Sequence, residues 1–158
     1  MSDKQLILIL DNIRSRENVG SIFRSADAFG VSKIYLCGIT PIPPHEKISK
    51  SALGADEFVP WEYSKRTIDI VKRLRKNGIK ILALEQSKQS IDIRKLNQAK
   101  KIALVVGNEV VGVGKGILKS CDHIIEIKMH GKKESLNVSV ATGIAIYELK
   151  NRLTAIRR

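Results

Sequence analysis

The stretch IALVVGNEVVG, residues 102–112, joins a short apolar run to a loop of glycine and polar residues. Its first five residues are all aliphatic, which is typical of a strand buried on both faces of a parallel sheet. A second apolar run, His123 to Ile127, leads in the same way into the polar segment that contains Ser135 and Asn137. Ligand sites of α/β sheets lie where strands end and loops begin. We therefore expect a functional site after these two strands.

Other apolar runs extend this pattern along the chain. Runs rich in Ile, Leu and Val predict strands at residues 6–10, 33–37 and 79–84, and the second run above predicts one over 124–127. Stretches with helical periodicity lie between the runs. This alternation predicts an α/β protein with three layers and a mostly parallel sheet. Since knots are nearly absent from proteins, the residues alone favour an unknotted, doubly wound sheet.

The helical stretches are marked by apolar residues on one face. Such residues recur from Val19 to Ala26 and from Ile68 to Leu74, and Gly30 and Gly78 suit C-terminal caps of these helices. The final helix is expected from about Val138 to Leu153. It begins apolar nearly all round and contains small residues that allow close approach. It should be buried in the core or at a subunit interface.

A proline-rich segment at residues 40–45 predicts a turn-rich loop. A short helix is expected after it, near Ser49 to Leu53. Aromatic residues make up only 4% of the chain, and Phe58 sits in a pattern typical of a core position. A base-stacking platform of the kind that single-strand binders use is therefore not evident.

The chain is strongly basic. It contains 28 Lys and Arg against 16 Asp and Glu, which gives a net charge of +12 and a pI near 9.9. Such an excess favours a polyanionic partner through phosphate contacts and counterion release. Charge alone does not identify that partner, because many basic proteins bind no nucleic acid specifically.

Length and composition limit the classes of protein to which the chain can belong. At 158 residues the chain has the length of one domain, and we expect a single domain over residues 1–158. No apolar stretch reaches the roughly 18 to 20 residues of a membrane span, and the N-terminus has no signal-peptide pattern. Cys37 and Cys121 form neither a Cys-x-x-Cys motif nor a disulfide framework. We expect a soluble cytoplasmic protein with no membrane partner.

Familiar nucleotide and metal motifs do not match the chain. The loop at residues 107–112 is followed by Val-Gly, whereas a P-loop needs Lys and Ser or Thr there. No Gly-x-Gly-x-x-Gly follows the first strand, and His45, His123 and His130 lack metal-ligand spacing. We expect no metal. From the residues alone, a flexible strand-to-helix turn is an open alternative for this loop.

Three segments, in their order and wording, resemble the motifs of the SpoU, or TrmH, family of RNA ribose methyltransferases, part of the SPOUT class. They are NIRSRENVGSIFRSADAFG at residues 12–30, GNE at residues 107–109 with Gly112, and HGKKESLNVSVA at residues 130–141. With the strands between them they span roughly Leu6 to Leu149. One departure is Ile127-Lys128-Met129, where the family usually has Ile-Pro-Met.

The resemblance implies transfer of a methyl group from S-adenosylmethionine to a ribose 2′-hydroxyl of tRNA or rRNA. It also implies a homodimer and a C-terminal trefoil knot, and here it overrides the unknotted sheet favoured above. Longer family members carry an extra RNA-binding domain or extensions, whereas little lies beyond the first strand and last helix here, so tRNA is favoured over rRNA. An rRNA methyltransferase and a catalytically silent RNA-binding relative stay as alternatives, the latter because of Lys128.

The resemblance also implies site residues at the matching positions. The catalytic set is Asn18, Arg24, Glu109, Ser135 and Asn137, and the cofactor-binding set is Leu84, Gly107, Ile127, Ser135 and Leu136. In the family, the glutamate organises the motif loops, the asparagine of motif one helps to hold the arginine, and the arginine contacts the target ribose and phosphate. We expect RNA binding by the basic residues in and beside the motifs, Arg14, Arg16, Arg24, Lys132 and Lys133.

Each polar site residue also has a structural explanation. Arg24 lies off the apolar face of its helix and could be merely solvated, and Asn18 suits the N-cap of that helix. Ser135 and Asn137 suit caps of the last helix, and Glu109 a charge near the helix after its loop. Because a guanidinium is effectively always protonated, we expect Arg24 to act as a fixed cation that stabilises a developing alkoxide, rather than as a general base.

Overall fold

The computed structural model describes residues 3–154, in which one parallel sheet has helices on both faces. The strands are β1 Gln5–Asp11, β2 Lys33–Cys37, β3 Trp61–Ser64, β4 Lys80–Leu84, β5 Ile91–Asp92, β6 Lys101–Gly107 and β7 His123–Glu126. Across these described residues the strand order is β3-β2-β1-β6-β4-β7-β5, and neighbouring strands are parallel throughout.

The helices form the two outer layers. They are α1 Arg16–Ala28, α2 Glu46–Ala52, α3 Thr67–Lys76, α4 Lys115–Ser120 and α5 Val138–Thr154. Successive residues of a strand face opposite sides of the sheet. Leu8 accordingly belongs to the core shared with α1, α2 and α5, and Ile9 to the core shared with α3 and α4. The predicted three-layer α/β architecture with a parallel sheet is confirmed.

The predicted elements differ from the observed ones mainly at short, polar segments. Strands β3 and β5 were not predicted, since β3 alternates polar and aromatic residues and β5 has only two residues. Strand β7 ends at Glu126, so Ile127 lies just beyond it. Helix α2 begins three residues before the predicted Ser49. The core position predicted for Phe58 is wrong: its side chain is 74% exposed, because Val59 beside it fills the core.

The strand order brings two loops together at one edge of the sheet. Asp11 at the end of β1 is in register with Gly107 at the end of β6. In the sheet, β2 and β3 lie on the β1 side of this pair, and β4 lies on the β6 side. In open α/β sheets a ligand crevice forms outside the carboxyl ends of the strands at such a point. The loops after Asp11 and Gly107 therefore meet there.

Two further findings concern the chain as a whole. No helix in the described part of the chain is long and apolar enough to cross a membrane. The domain predicted over residues 1–158 includes residues 1, 2 and 155–158, which lie outside the described residues.

Candidate active site

A cavity of about 550 Å³ lies across the carboxyl ends of the neighbouring strands β4, β6 and β7. All five residues predicted to bind the cofactor line it, namely Leu84, Gly107, Ile127, Ser135 and Leu136. Glu109 and Asn137 of the predicted catalytic set line it as well. Residues from three distant parts of the sequence therefore share one cavity.

The Glu109 carboxylate joins the loop after β6 to the start of α1. It accepts hydrogen bonds of 2.8 Å from the backbone N–H groups of Arg14 and Ser15, and one of 3.0 Å from the Asn18 side chain. Partial burial opposes ionisation of this carboxyl, but these hydrogen bonds outweigh it and hold its pKa below the ordinary value. Glu109 thus lies at the N-terminus of α1, whereas the structural alternative placed its charge near the helix after its own loop.

Asn18 links Glu109 to the last motif. Its side-chain oxygen accepts a 3.2 Å hydrogen bond from the Asn137 amide. The N-cap assigned to Asn18 is wrong: Ser15 is the N-cap, and its hydroxyl accepts from the Asn18 backbone N–H at 3.1 Å. No hydrogen bond joins Asn18 to Arg24 in the described structure. Glu109, Asn18 and Asn137 form a single hydrogen-bonded set that joins the three motifs.

Asn137 has two roles in the geometry. Its side-chain oxygen accepts hydrogen bonds from the backbone N–H groups of Ser139 at 2.9 Å and Val140 at 3.3 Å, so it caps the start of α5. Its amide nitrogen remains free to donate to Asn18. Ser135 is exposed at the cavity and makes no hydrogen bond to the described residues. The capping prediction therefore holds for Asn137 only.

The loop after β6 folds back on itself. Asn108 and Gly112 exchange backbone hydrogen bonds of 3.1 and 2.9 Å, and Gly112 has a φ of +73°. A Cβ on Gly107 would collide with the backbone of Gly112 and Val113. Gly107 is therefore required because the loop's own backbone approaches it closely.

Three polar residues of the site were not predicted. Asn108 donates a 2.8 Å hydrogen bond from its side chain to the Asn12 carbonyl, and the Asn12 side chain accepts one of 2.9 Å from Ile39 N–H. Glu85, just after β4, accepts a 2.8 Å hydrogen bond from Val113 N–H. The signal for Glu85 was its position directly after an apolar run, the same signal that marked the two predicted loops.

Lys128, the departure from the family pattern, forms an ion pair with Glu126 at 2.8 Å. Glu126 also accepts a hydrogen bond from Ser90, and these two contacts hold the pKa of the Glu126 carboxyl below its ordinary value. Glu126 lines the cavity, whereas its partner Lys128 does not. The substitution thus leaves the cavity lining without an added cation.

Of the predicted catalytic set, Asn18 and Arg24 do not line the cavity, and Arg24 forms no hydrogen bond to a residue that does. Arg24 lies on α1 six residues after Asn18, which corresponds to about 9 Å along a helix axis. Its side chain is exposed and forms no ion pair or hydrogen bond within residues 3–154. The other residues predicted to bind RNA, Arg14, Arg16, Lys132 and Lys133, are also exposed.

A second groove, of about 750 Å³, lies between α1 and α5 and is lined on the α1 side by Ser21, Ser25 and Phe29. Val140, Ile144 and Tyr147 of α5 line it and are 50%, 44% and 57% exposed. Their spacing of four and three residues puts them on one stripe of the helix. The groove therefore carries an exposed apolar face, and Ser25, the sequence neighbour of Arg24, lines the opposite wall.

Two further findings concern the cysteines and the residue types that bind metals. Burial raises the pKa of both Cys37 and Cys121 to about 12, so both thiols are protonated at neutral pH. No group of three or more His, Cys, Asp or Glu within residues 3–154 is arranged to hold a metal ion.

The fold and the cavity at the carboxyl edge of the sheet define an α/β protein with a ligand site of the kind that such sheets carry. The profile of the SpoU rRNA Methylase family matches residues 5–147. The chain belongs to this family, as its three motifs indicated.

Comparison with individual proteins agrees with the family. The chain is 35% identical over 150 residues to the tRNA (guanosine(18)-2′-O)-methyltransferase of Aquifex aeolicus, covering 94% of this chain and 70% of that protein. It is 33% identical to the 23S rRNA (guanosine-2′-O-)-methyltransferase RlmB of Coxiella burnetii, covering 95% of this chain and 60% of the relative.

Solved structures show the same fold. An AdoMet-bound rRNA methyltransferase from Sinorhizobium meliloti has a TM-score of 0.89 and 28% identity, and the match covers 97% of this chain and 59% of that one. The chain therefore spans less than two thirds of both the Coxiella protein and the Sinorhizobium structure.

Proposed function

We propose that the protein transfers a methyl group from S-adenosylmethionine to a ribose 2′-hydroxyl of RNA, with tRNA favoured over rRNA, in the cytoplasm. The observation that carries this proposal is the hydrogen-bonded set of Glu109, Asn18 and Asn137, which joins three motifs of a methylase family beside one cavity. The Aquifex relative, named for tRNA, supports the favoured substrate, and the Coxiella relative, named for rRNA, supports the alternative.

The residues of the cavity fit S-adenosylmethionine. A volume of about 550 Å³ lies within the usual range for small-molecule sites, roughly 300–1,000 Å³. The side chains of Leu84, Ile127 and Leu136 offer apolar contacts for an adenine ring, and the loop after Gly107 offers main-chain groups. S-adenosylmethionine supplies a methyl group on a positively charged sulfur.

The polar residues then orient the substrate and stabilise charge. Asn18, Asn137 and Ser135 are proposed to hold the target ribose, and Glu109 fixes the two asparagines relative to the cavity. The Arg24 guanidinium stabilises the charge that develops on the 2′-oxygen and binds the adjacent phosphate, while the proton of the 2′-hydroxyl passes to water. Alignment and electrostatics together are the expected source of rate enhancement.

A homodimer with composite active sites is part of this proposal. Arg24 lies on α1 and does not line its own cavity, and a second groove between α1 and α5 exposes Val140, Ile144 and Tyr147. Pairing of this apolar face with that of a second copy would bury it and bring Arg24 of each protomer toward the cavity of the other. The exposed basic side chains of Arg14, Arg16, Lys132 and Lys133 would then flank the shared RNA groove.

A single methyltransferase domain with a C-terminal trefoil knot is also proposed. Strand β7 lies between β4 and β5, although β4 and β5 are joined by only residues 85–90. Ser90 of that connection contacts Glu126 at the end of β7. The chain that follows β7 thus starts beside the 85–90 connection, and this closeness supports the proposed threading. An experimental chain trace through residues 84–137 tests the knot.

The activity is tested by incubating the protein with labelled S-adenosylmethionine and unmodified tRNA or rRNA, followed by digestion to nucleosides. We expect label on ribose 2′-oxygens, more in tRNA than in rRNA, and equal activity with a metal chelator present. Label on bases, or none in either RNA, would refute the proposal. Calorimetry with S-adenosylmethionine distinguishes an active methyltransferase from a catalytically silent RNA-binding relative, which should show no heat of binding.

A further inference from the structure

Helices α3 and α4 pack on the face of the sheet opposite to α1 and α5 and carry a concentrated positive charge. Residues 65–76 and α4 together contain eight Lys and Arg but only one acidic residue, Asp69. The apolar sides of these helices are buried in the core, through Ile70 and Leu74 of α3 and Ile117 of α4. The charged side chains therefore face outward.

Three arginines on this surface are neutralised by acidic partners. The ion pairs are Arg66 with Asp69 at 3.7 Å, Arg73 with Glu62 at 3.0 Å, and Arg75 with Asp122 at 3.3 Å. Arg75 also donates a 3.0 Å hydrogen bond to the Ser120 carbonyl, which ties α3 to the end of α4. The charges of these three arginines are therefore compensated within the protein, and Arg75 also ties the two helices together.

Four exposed lysines form no ion pair or hydrogen bond with the described residues: Lys72 and Lys76 on α3, and Lys115 and Lys119 on α4. We name this set the lysine face. Each pair is spaced four residues apart and so shares one side of its helix. Like charges at this spacing destabilise a helix by a few tenths of a kcal/mol, about 0.2–0.5. Fold stability therefore does not account for the arrangement.

The lysine face begins beside the candidate active site. Lys115 follows by three residues Gly112, which lines the cavity. Asp11, at the end of β1, accepts a 3.1 Å hydrogen bond from Gly114 N–H, which fixes the start of α4 at the carboxyl edge of the sheet. From this edge the lysines continue along α4 and onto its neighbour α3.

We propose that the lysine face binds the phosphate backbone of the same RNA whose ribose is methylated, outside the active site. This inference rests on the proposed function. Lysine ammonium groups bind phosphates as point charges and carry no sequence information. Neither α3 nor α4 carries an aromatic residue that could stack on a base. The surface therefore suits a sequence-independent grip on an RNA much larger than the cavity.

The test uses two double variants, Lys72→Gln/Lys76→Gln and Lys115→Gln/Lys119→Gln. The control, Lys95→Gln/Lys100→Gln, removes the same charge at two exposed positions elsewhere. Affinity for unmodified tRNA is measured without methyl donor between about 50 and 200 mM salt. Each test variant should lower the slope of log affinity against log salt by about one per lost phosphate contact, whereas the control keeps the wild-type slope.

Kinetics and a charge-conserving variant complete the test. The KM for RNA should rise in both test variants while kcat and the affinity for S-adenosylmethionine stay unchanged, and Lys115→Arg/Lys119→Arg should behave as wild type. Wild-type slopes in both test variants, or an equal loss of slope in the control, would overturn the proposal that the lysine face binds RNA. A lysine face that binds an acidic protein instead of RNA would give the first of these outcomes. Failure of wild-type protein to methylate ribose would instead refute the proposed function, since RNA binding is measured separately.

Discussion

The Asn18 side chain donates a 3.0 Å hydrogen bond to the Glu109 carboxylate and so joins the first motif to the second. The same carboxylate accepts the backbone N–H groups of Arg14 and Ser15 just before α1. The Glu109 side chain therefore holds the start of α1, the helix that carries both Asn18 and Arg24. Changes at Glu109 should therefore affect residues that are far from it in sequence.

Replacing Glu109 with Ala should lower turnover strongly. Hydrogen bonds to a charged group are worth about 1.5–3 kcal/mol each, and a loss of about 2 kcal/mol in transition-state stabilisation lowers the rate roughly 30-fold. Glu109→Gln keeps one acceptor oxygen and should lose less. Methyl transfer by Glu57→Gln, a change at an exposed glutamate away from the cavity, is the control. Wild-type turnover in Glu109→Ala would contradict the assigned role.

The pH dependence of the protein's stability should report the ionisation of the Glu109 carboxyl. Its hydrogen bonds hold the pKa of Glu109 below the ordinary 4.5. A carboxyl with a lowered pKa in the folded state stabilises the fold above its unfolded pKa, and this contribution is lost as pH falls through the folded value. The difference in Tm between wild type and Glu109→Gln should be constant from about pH 8 to 5 and shrink below about pH 4. A difference that grows on acidification would show the opposite linkage.

Sequence patterns predicted the frame of the fold because its central strands are continuous aliphatic runs. They did not reveal β3, since its WEYS sequence is half polar and lies at the sheet edge. The cavity lining followed from family motifs. Glu85 and Asn12 escaped prediction because their roles arise from backbone N–H groups of loops distant in sequence, at Val113 and Ile39. Such pairings depend on strand order, which local patterns do not encode.

The N-cap of α1 is a second feature that the local sequence pattern did not predict correctly, because it is Ser15 and not Asn18. Both residue types are favourable caps, and they are three residues apart. Ser15 caps α1 because Glu109 holds its backbone N–H at the start of the helix. The long-range contact, absent from any local pattern, thus decides a local boundary.

Arg24→Ala should abolish methyl transfer while leaving affinity for S-adenosylmethionine nearly intact. The side chain is exposed and does not line the cavity, so in the proposed function it contacts RNA rather than the methyl donor. Arg24→Lys keeps the charge but loses the planar fork and should be strongly impaired. Calorimetry and single-turnover kinetics measure the two effects. A loss of donor affinity of tenfold or more, about 1.4 kcal/mol, would contradict this division of roles.

Gly107→Ala should disrupt the loop that lines the cavity. A Cβ there would collide with the backbone of Gly112 and Val113, and backbone atoms cannot move aside as a flexible side chain can. Gly116→Ala is the matched control, because its Cβ would meet no atom within 4 Å and alanine favours a helix by up to about 1 kcal/mol. Gly107→Ala should lose donor binding in calorimetry, whereas Gly116→Ala should bind normally and melt at the same or a higher temperature.

Ile144→Asp should convert the proposed homodimer into monomers and abolish methyl transfer. Ile144 lies in the middle of the apolar stripe of α5, and burying an unpaired carboxylate in a subunit interface is strongly unfavourable. Phe58→Asp, at a more exposed apolar position far from this stripe in sequence, is the control and should remain dimeric. Light scattering measures assembly, and calorimetry should show whether the monomer retains its cavity. A fully active monomer would refute the composite site, because Arg24 would then act on its own cavity after all.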